Sequence, residues 1–264
     1  MSRALLLAAG KATRLGALRD RYAKACVPIA GTTPLRFAIE ALAAAGVREL
    51  VINLHWQAEQ VRAAAEQARP AGLRLRFLEE ETLLGTGGTL LACQESFGFL
   101  PDLVSNAKLF TDLDWSAVLR AAPGSLVLHT ASPLAEFGGL LYDERGQVRG
   151  LLSRQQLAEG QTPPPAPAGA AVYTGICRPD PAWLPFLQRD AAPARAEGKP
   201  LCLVRSGFLP ALAAGVQVPS LLHHGAWCEI STPERVRAAE ELVRSLPGTR
   251  HKAPPSDEAG FGVA

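Results

Sequence analysis

The sequence has few cysteines, and those it has do not form a metal-binding or disulfide pattern. Five of the 264 residues are cysteine, and they stand singly along the chain. No two of them have the short spacing of a zinc site, and their odd number does not suit a fully paired disulfide framework. We therefore expect reduced thiols and a cytoplasmic protein.

The sequence also lacks a strong net charge and a long apolar run. A formal net charge of +2 is too small to indicate a nucleic-acid or membrane partner. The early apolar stretch 5–9 is too short for a signal peptide or a membrane span. With 48% hydrophobic and 20% charged residues, the composition is that of an ordinary globular protein. We expect one domain over residues 1–246, as a monomer or homodimer, and a disordered polar tail at 247–264.

Strands and helices are predicted to alternate over the first 80 residues. Strand patterns at 5–7, 49–54 and 73–77 are separated by helical patterns at 33–45 and 57–69. This order is typical of parallel strands joined by right-handed helical crossovers. It predicts an α/β fold with a mostly parallel, Rossmann-like sheet flanked by helices.

The second half of the chain departs from this alternation and predicts a smaller mixed β-sheet subdomain. The turn signal at 143–146 indicates a hairpin, and the proline-rich stretch 162–167 indicates a loop. The other predicted elements are strands at 103–104, 125–130, 138–142, 147–152, 171–176 and 216–218, and helices at 89–96, 179–188, 201–214 and from Thr232–Pro233 onwards.

A turn rich in small residues follows the first predicted strand. Ala8, Ala9 and Gly10 let another molecule approach the backbone closely. Arg14 and Lys24 add two cations further along the chain. Exposed backbone N–H groups beside such cations are typical of a phosphate site. An ordinary basic surface loop has the same composition, so both interpretations stand at this point.

A second glycine cluster, Leu84-Gly85-Thr86-Gly87-Gly88, follows the third predicted strand and precedes the predicted helix at 89–96. Taken alone, it could be a flexible turn before an ordinary helix. Two such turns at the same edge of a parallel sheet favour a ligand site, because ligands bind outside the carboxyl ends of parallel strands.

Together the two motifs resemble those of the sugar-1-phosphate nucleotidyltransferases. Members open with strand-Ala-Ala-Gly-x-Gly-Thr-Arg-Leu and carry Leu-Gly-Thr-Gly-Gly after the third strand. Residues 7–15 match the first motif with Ala12 in place of the second glycine, and residues 84–88 match the second fully. The resemblance covers roughly residues 3–242. The chain looks most similar to mannose-1-phosphate guanylyltransferases and N-acetylmuramate-1-phosphate uridylyltransferases.

The resemblance implies transfer of a nucleotidyl group from a nucleoside triphosphate to a sugar-1-phosphate, which gives a nucleotide sugar and pyrophosphate. It does not say which base or sugar is used. It implies catalytic roles for Arg14 and Lys24. The implied nucleotide-binding residues are Ala8, Ala9, Gly10, Lys11, Gly85, Thr86, Gly87, Gly88 and Asn106, and the implied sugar-binding residues are Arg154, Thr174 and Gly175.

The chain departs from the family where Mg²⁺ is expected. Family members bind this ion with an aspartate after Asn-Ala or Asn-Gly, and with a second aspartate in Gly-x-Trp-x-Asp. Here the two positions hold Lys108 and Glu229. A charged lysine cannot ligate a metal, so we expect Mg²⁺ to be held weakly by Glu229 or not at all, and turnover to be slow. The alternative is an inactive relative that binds nucleotide or nucleotide sugar and acts in regulation.

Two other carboxylates lie close to Lys108 in the sequence. Asp112 or Asp114 could supply a replacement metal ligand, but Asp114 is better placed to cap a helix and Asp112 to lie in a surface loop. His223 and His224 are expected at the surface. The four tryptophans are expected in the core or in pocket walls.

Overall fold

A computed structural model describes residues 1–159 and 168–246. The predicted loop at 162–167 and the predicted tail at 247–264 lie outside these described residues. The strands of the described part are β1 (Ser2–Leu7), β2 (Val47–Leu54), β3 (Arg74–Glu79), β4 (Leu103–Asn106), β5 (Leu109–Thr111), β6 (Leu126–His129), β7 (Gly139–Tyr142), β8 (Val148–Leu152), β9 (Gly169–Cys177), β10 (Ser220–His223) and β11 (Trp227–Glu229).

Five of the α-helices in the described residues are at least ten residues long, and the others are short. None is long and apolar enough to cross a membrane. The α-helices are α1 (Leu18–Arg21), α2 (Pro34–Ala44), α3 (Ala58–Ala68), α4 (Gly85–Phe97), α5 (Trp115–Arg120), α6 (Leu134–Phe137), α7 (Arg154–Ala158), α8 (Leu184–Ala196), α9 (Leu209–Ala213) and α10 (Pro233–Ser245), with 3₁₀ turns at Thr13–Leu15, Lys24–Cys26 and Pro181–Trp183 and a π-helix at Leu203–Phe208.

The main sheet has the strand order β10-β6-β9-β4-β1-β2-β3. β1 pairs in parallel with β2 and β4, and β2 with β3. β9 is antiparallel to both β4 and β6, and it also pairs with the β7–β8 hairpin. A separate two-stranded sheet joins β5 to β11. The predicted fold class, a mostly parallel sheet with a smaller mixed sheet, is confirmed.

β1 lies in the middle of this sheet because its apolar run can be buried on both faces. Leu5 and Leu6 are both fully buried, but they point to opposite faces. Leu6 packs into the core under α2 and α3, whereas Leu5 packs into the core under α4 and α8. Packing on both faces therefore holds β1 in place up to its end at Leu7. The turn that follows lies at the carboxyl edge of the sheet.

Helix starts follow the predicted capping chemistry. Thr33 accepts a hydrogen bond from the Arg36 N–H, and Pro34 occupies the first position of α2. Asp114 accepts hydrogen bonds from the backbone N–H groups of Ser116 and Ala117, so its predicted role as a helix cap is confirmed.

Three predictions need correction, and one pair of strands was not predicted. The helix expected at 89–96 begins at Gly85, so the glycine cluster forms its first turn. The strand expected at 216–218 is wrong: β10 starts after Pro219, which has no N–H to continue a ladder. The β5–β11 pair was not predicted, because strands of three residues show no periodicity. His223 is not a surface residue, since its side chain is only 10% exposed.

Candidate active site

Two adjoining cavities open at the carboxyl edge of the parallel strands. The first cavity has a volume of about 270 Å³ and lies where β1, β2, β3 and β4 end. Its lining residues are Leu7, Ala8, Ala9, Gly10, Lys24, Ala25, Asn53, Glu80, Leu83, Gly85, Thr86, Thr89, Asn106, Ala107, Lys108 and Pro200.

A buried hydrogen-bond network forms one wall of the first cavity. The Asn53 side-chain oxygen accepts hydrogen bonds from the N–H groups of Ala8 at 2.6 Å and Ala9 at 3.3 Å. The Asn53 amide nitrogen donates to Glu80 at 2.8 Å. Glu80 also accepts from the Thr89 hydroxyl at 2.5 Å and from the Leu84 N–H at 3.1 Å. The network joins the ends of β1, β2 and β3 to the start of α4.

This network changes the expected role of the first turn. The N–H groups of Ala8 and Ala9 already have an acceptor in Asn53, so they are not free donors for a phosphate. Within the described part of the chain, the N–H groups of Gly10, Lys11 and Ala12 have no protein acceptor. Gly10 lines the first cavity, whereas Lys11 lines a separate groove between α4 and α8. Donors for an anion are therefore concentrated after Ala9.

The second glycine cluster is fixed against a distant segment of chain. The Leu84 carbonyl accepts from the Leu201 N–H, and the Gly87 N–H donates to the Leu201 carbonyl at 2.9 Å. Gly85 has φ of +77°, and a methyl group there would lie 2.5 Å from the Leu201 carbonyl oxygen. Only glycine suits this position. Gly85 and Thr86 line the first cavity, whereas Gly87 and Gly88 do not.

The second cavity, of about 480 Å³, lies beside the first, between the main sheet and the two-stranded sheet. The two cavities share Leu7, Thr86, Asn106 and Lys108. The other residues around the second cavity are Arg14, Val104, Glu136, Phe137, Arg154, Tyr173, Thr174, Gly175, Cys202, Leu203, Val204, Trp227, Glu229 and Arg235. The three predicted sugar-binding residues all lie here.

The backbone of β9 comes close to the side chain of Asn106, one of the residues that form the wall between the two cavities. Gly175 has φ of +80°, and a methyl group on it would lie 1.9 Å from the Asn106 amide nitrogen. The neighbouring Thr174 is buried, and its hydroxyl donates to the Val127 carbonyl at 2.9 Å. Thr174 therefore holds β9 against β6, and Gly175 leaves room for the Asn106 side chain between the cavities.

Charged side chains cross the shared wall as a paired network. The Lys108 ammonium donates to one oxygen of Glu229. The other oxygen of Glu229 accepts from Ser231 at 2.5 Å and from Arg235. Arg235 also pairs with Glu136, which lies at the second cavity's rim. Burial alone would raise the pKa of Glu229, but the charge of Lys108 and its hydrogen bonds lower that pKa to about 2. Glu229 is therefore ionised throughout the physiological range.

Other cations around the cavities have no carboxylate partner among the described residues. They are Arg14, Lys24 and Arg154. Burial and the nearby charge of Lys108 lower the pKa of Lys24 to about 8, although Glu229 opposes the shift. An unpaired, partly desolvated ammonium gains more from an incoming anion than one already in a salt bridge. These three side chains therefore keep positive charge available to an incoming anion.

The side chains present do not fit a protein-held Mg²⁺ ion. Mg²⁺ needs carboxylate or carbonyl oxygens in near-octahedral geometry, whereas the three carboxylates around the two cavities are already engaged. Glu80 accepts hydrogen bonds from Asn53, Thr89 and Leu84, Glu136 pairs with Arg235, and Glu229 pairs with Lys108 and Arg235. Asp112 accepts from the Ala226 N–H at 2.7 Å and Asp114 caps α5, and neither lines a cavity. Residues 1–159 and 168–246 contain no cluster of three or more metal-ligating side chains.

Most of the residues that line the first cavity lie in a segment that is similar to a known family. Residues 4–102 match the family model described as MobA-like NTP transferase domain. The mannose-1-phosphate guanylyltransferase of Mycobacterium tuberculosis is 26% identical over 251 residues, which cover 92% of this chain and 65% of that protein. The N-acetylmuramate alpha-1-phosphate uridylyltransferase of Neisseria meningitidis serogroup B is 30% identical over 133 residues, covering 50% of this chain and 57% of that protein.

The resemblance to nucleotidyltransferases drawn from the sequence is confirmed by these matches. The chain spans about two thirds of the length of the mannose-1-phosphate relatives. Among solved structures, HddC from Yersinia pseudotuberculosis superposes with a TM-score of 0.66 at 18% identity, over 92% of this chain and 99% of that one. A second structure of the same protein, complexed with GMP-PN, has the same TM-score. This likeness confirms the fold.

Several residues of the site were not found from the sequence. Asn53, Glu80 and Thr89 come from three different segments, and each looks ordinary in its own segment. Arg235 lies in the helix that was predicted to start at Thr232–Pro233, and that prediction gave no role to its charged side chains. The one available signal was the position of Asn53 and Glu80 at the ends of neighbouring strands, because polar residues there face the ligand edge of a parallel sheet.

Proposed function

We propose that this chain transfers a nucleotidyl group from a nucleoside triphosphate to a sugar-1-phosphate. The observation that supports this most is the pair of cavities separated by a single wall at Asn106 and Lys108. Such a reaction needs two anionic substrates side by side, with the sugar phosphate facing the α-phosphorus. Sugar-1-phosphate nucleotidyltransferases among the relatives support the same reaction class.

The triphosphate would occupy the first cavity, with its phosphates against Gly10 and Lys24. The sugar-1-phosphate would occupy the second cavity, with its phosphate toward Arg154. An oxygen of the sugar phosphate then attacks the α-phosphorus as the bond to the β-phosphate oxygen breaks, and pyrophosphate leaves on the opposite side, past Lys24 and Gly10. Arg14, which lines the second cavity, offsets the phosphate charge from the other side. The residues hold the two anions in line and offset their charge, which is most of the catalysis that phosphoryl transfer requires.

A second candidate is a nucleotide-binding relative with little or no turnover. It is favoured by the ion pair of Lys108 and Glu229, which occupies the place where the resemblance led us to expect Mg²⁺ ligands. Under this proposal the same cavities bind nucleotide or nucleotide sugar, and the protein regulates a partner. Both candidates require the first cavity to accept a nucleotide.

A pyrophosphate-release assay distinguishes the two. The chain is incubated with ATP, GTP, UTP, CTP or dTTP and a panel of sugar-1-phosphates, with Mg²⁺ present, and calorimetry measures binding of each triphosphate. Release that needs both substrates supports the transferase. Binding without release supports the second candidate. If neither a triphosphate nor any of the corresponding nucleotide sugars, titrated in the same way, bound to folded protein, both candidates would be contradicted.

A further inference from the structure

Lys108 is the only charged residue that both cavities share among the residues the structure describes. Its side chain is 29% exposed, and its ammonium donates to Glu229. An ammonium has three hydrogens, so this bond leaves two others for acceptors in the cavities. Lys108 thus presents a fixed positive charge at the junction where the two phosphate groups would meet.

Glu229 is arranged to hold that ammonium and not a metal ion. One of its oxygens receives Lys108, and the other receives Ser231 and Arg235. The side chain is only 7% exposed. A divalent ion could reach this carboxylate only by displacing one of the two cations, which would then lie unpaired beside the ion. The like charges would repel, so the arrangement opposes a bound metal.

We propose that the ammonium of Lys108, positioned by Glu229, is the cation that meets the nucleotide phosphates, so that nucleotide binds without a divalent metal held by the protein. This inference rests on the proposed function, because it assumes that the first cavity takes a triphosphate. Nothing covalent is involved: the ammonium donates hydrogen bonds to phosphate oxygens and offsets their charge.

The proposal predicts how added Mg²⁺ acts. A metal-free triphosphate carries two more negative charges than its Mg²⁺ complex, so the cations Lys24 and Lys108 attract it more strongly. Chelation of divalent ions should therefore leave the affinity unchanged or increase it. A site that holds Mg²⁺ through carboxylates would show the opposite dependence, because there the metal connects protein to phosphate.

The test is calorimetric titration of the full chain with each of the five triphosphates, in excess EDTA and again in excess Mg²⁺. Lys108→Met removes the ammonium and keeps the bulk of the chain. Lys108→Arg keeps the charge, and Arg120→Ala is the matched control because it removes an exposed cation that lines neither cavity. Thermal unfolding establishes that each variant is folded.

In EDTA, the unaltered chain and the Arg120→Ala control should bind with equal affinity. Lys108→Met should bind about tenfold or more weakly in EDTA, the loss expected for a hydrogen bond to a charged group. Lys108→Arg should retain most of the affinity. If Lys108→Met does not fold, the affinities of the unaltered chain in EDTA and in Mg²⁺ still test whether binding needs a divalent metal.

Binding that appears only with Mg²⁺ would overturn the inference and leave the proposed function intact. The same holds if Lys108→Met binds as tightly as the unaltered chain in EDTA. Failure to bind any triphosphate under either condition would instead remove the proposed function on which the inference rests. The two failures are therefore distinguishable.

Discussion

The two cavities each contain a buried glutamate, but the two carboxylates are satisfied in different ways. Glu80 in the first cavity is held by an amide, a hydroxyl and a backbone N–H. Glu229 in the second is held by Lys108 and Arg235, with a serine hydroxyl between. Both residues are about equally buried, at 5% and 6% exposure. The two carboxylates therefore differ in their hydrogen-bond and ion-pair partners and not in their burial.

The two sets of partners leave different cations available to bind a phosphate. Neutral donors around Glu80 leave Lys24 without a carboxylate partner, so its charge is free to meet a phosphate. Pairing around Glu229 uses up Arg235 and ties Lys108 to one position. The first cavity thus has an unpaired cation in Lys24, whereas Glu229 fixes Lys108 and Arg235 in place at the second, where only Arg14 and Arg154 are unpaired among the described cations. Substitutions at the charged residues of the two cavities test this contrast.

The largest effect should come from the matched substitutions Glu229→Gln and Glu80→Gln. Glu229→Gln leaves two cations without their counter-charge and should lower the free energy of unfolding by about 3 kcal/mol. Glu80→Gln leaves mainly one backbone N–H facing an amide and should cost about 1 kcal/mol. Denaturant unfolding of both variants measures the two losses in the free energy of unfolding. Equal losses would show that charged partners and neutral partners of a buried carboxylate contribute equally to stability.

Glu229→Gln should also change how the stability of the protein responds to acid. Because Lys108 and its hydrogen bonds lower the pKa of Glu229 from 4.5 to about 2, the folded state binds protons less readily than the unfolded chain. The resulting stability is fully present above pH 4.5 and is lost as the pH falls toward 2. The Glu229→Gln variant should therefore lose stability less steeply over that range than the unaltered chain.

The next effect concerns affinity. Arg14→Ala and Lys24→Ala should each weaken triphosphate binding by about 1.5–3 kcal/mol, the range for hydrogen bonds to charged groups. Stability without ligand should not fall, because neither side chain has a carboxylate partner in the described residues. Calorimetry and thermal unfolding give the two quantities. A variant that loses stability and keeps its affinity would show a structural role.

A smaller effect follows from the pKa of Lys24. Because burial and Lys108 lower this pKa to about 8, the free protein loses the Lys24 charge as the pH rises through that value. Between about pH 7 and about pH 9, triphosphate binding should weaken about tenfold, since only the protonated fraction is competent. Lys24→Arg keeps its charge over this range and should give a flat profile. An equally steep profile for Lys24→Arg would assign the titration to another group.

The lowered pKa also affects stability in the absence of ligand. The unfolded chain protonates Lys24 more readily than the folded state does, so this group should increase stability as the pH rises from about 8 to 10.5. A rise in pH should therefore weaken triphosphate binding but increase the stability of the free protein, so the two effects can be told apart.

The smallest effect is expected at Ala12, where the resembling family has glycine. Ala12 has φ of +54°, which costs an L-residue about 1–2 kcal/mol. Its buried methyl group returns about 0.8 kcal/mol, and glycine would add chain entropy to the unfolded state. Ala12→Gly should therefore change the free energy of unfolding by less than about 1 kcal/mol in either direction.

Ala17→Gly is the control for that measurement. Ala17 is exposed and has φ of −60°, so no strain is relieved there. It should lose at most about 0.4–1 kcal/mol, because glycine adds conformational entropy to the unfolded chain. If Ala12→Gly lost clearly more than Ala17→Gly, the packing of the Ala12 methyl group would outweigh its strain.

Long periodic segments were predictable from the sequence, and so was the edge of the sheet where the cavities open. β1 is a continuous apolar run, and α2 carries both a threonine cap and a first-position proline, so each is determined by local chemistry. The short pair β5–β11 carries no such signal. It forms because residues 109–111 and 227–229 meet across the chain and complete each other's backbone hydrogen bonds.

The sequence alone determined the fold class, the nucleotidyltransferase resemblance and the unusual lysine at position 108. It could not show that this lysine meets Glu229, 121 residues away, or that Asn53 occupies the N–H groups of Ala8 and Ala9. Residue type and spacing report how a segment folds locally. Which donor finds which acceptor depends on how distant segments pack, and that is decided only when the strands lie side by side and exclude water between them.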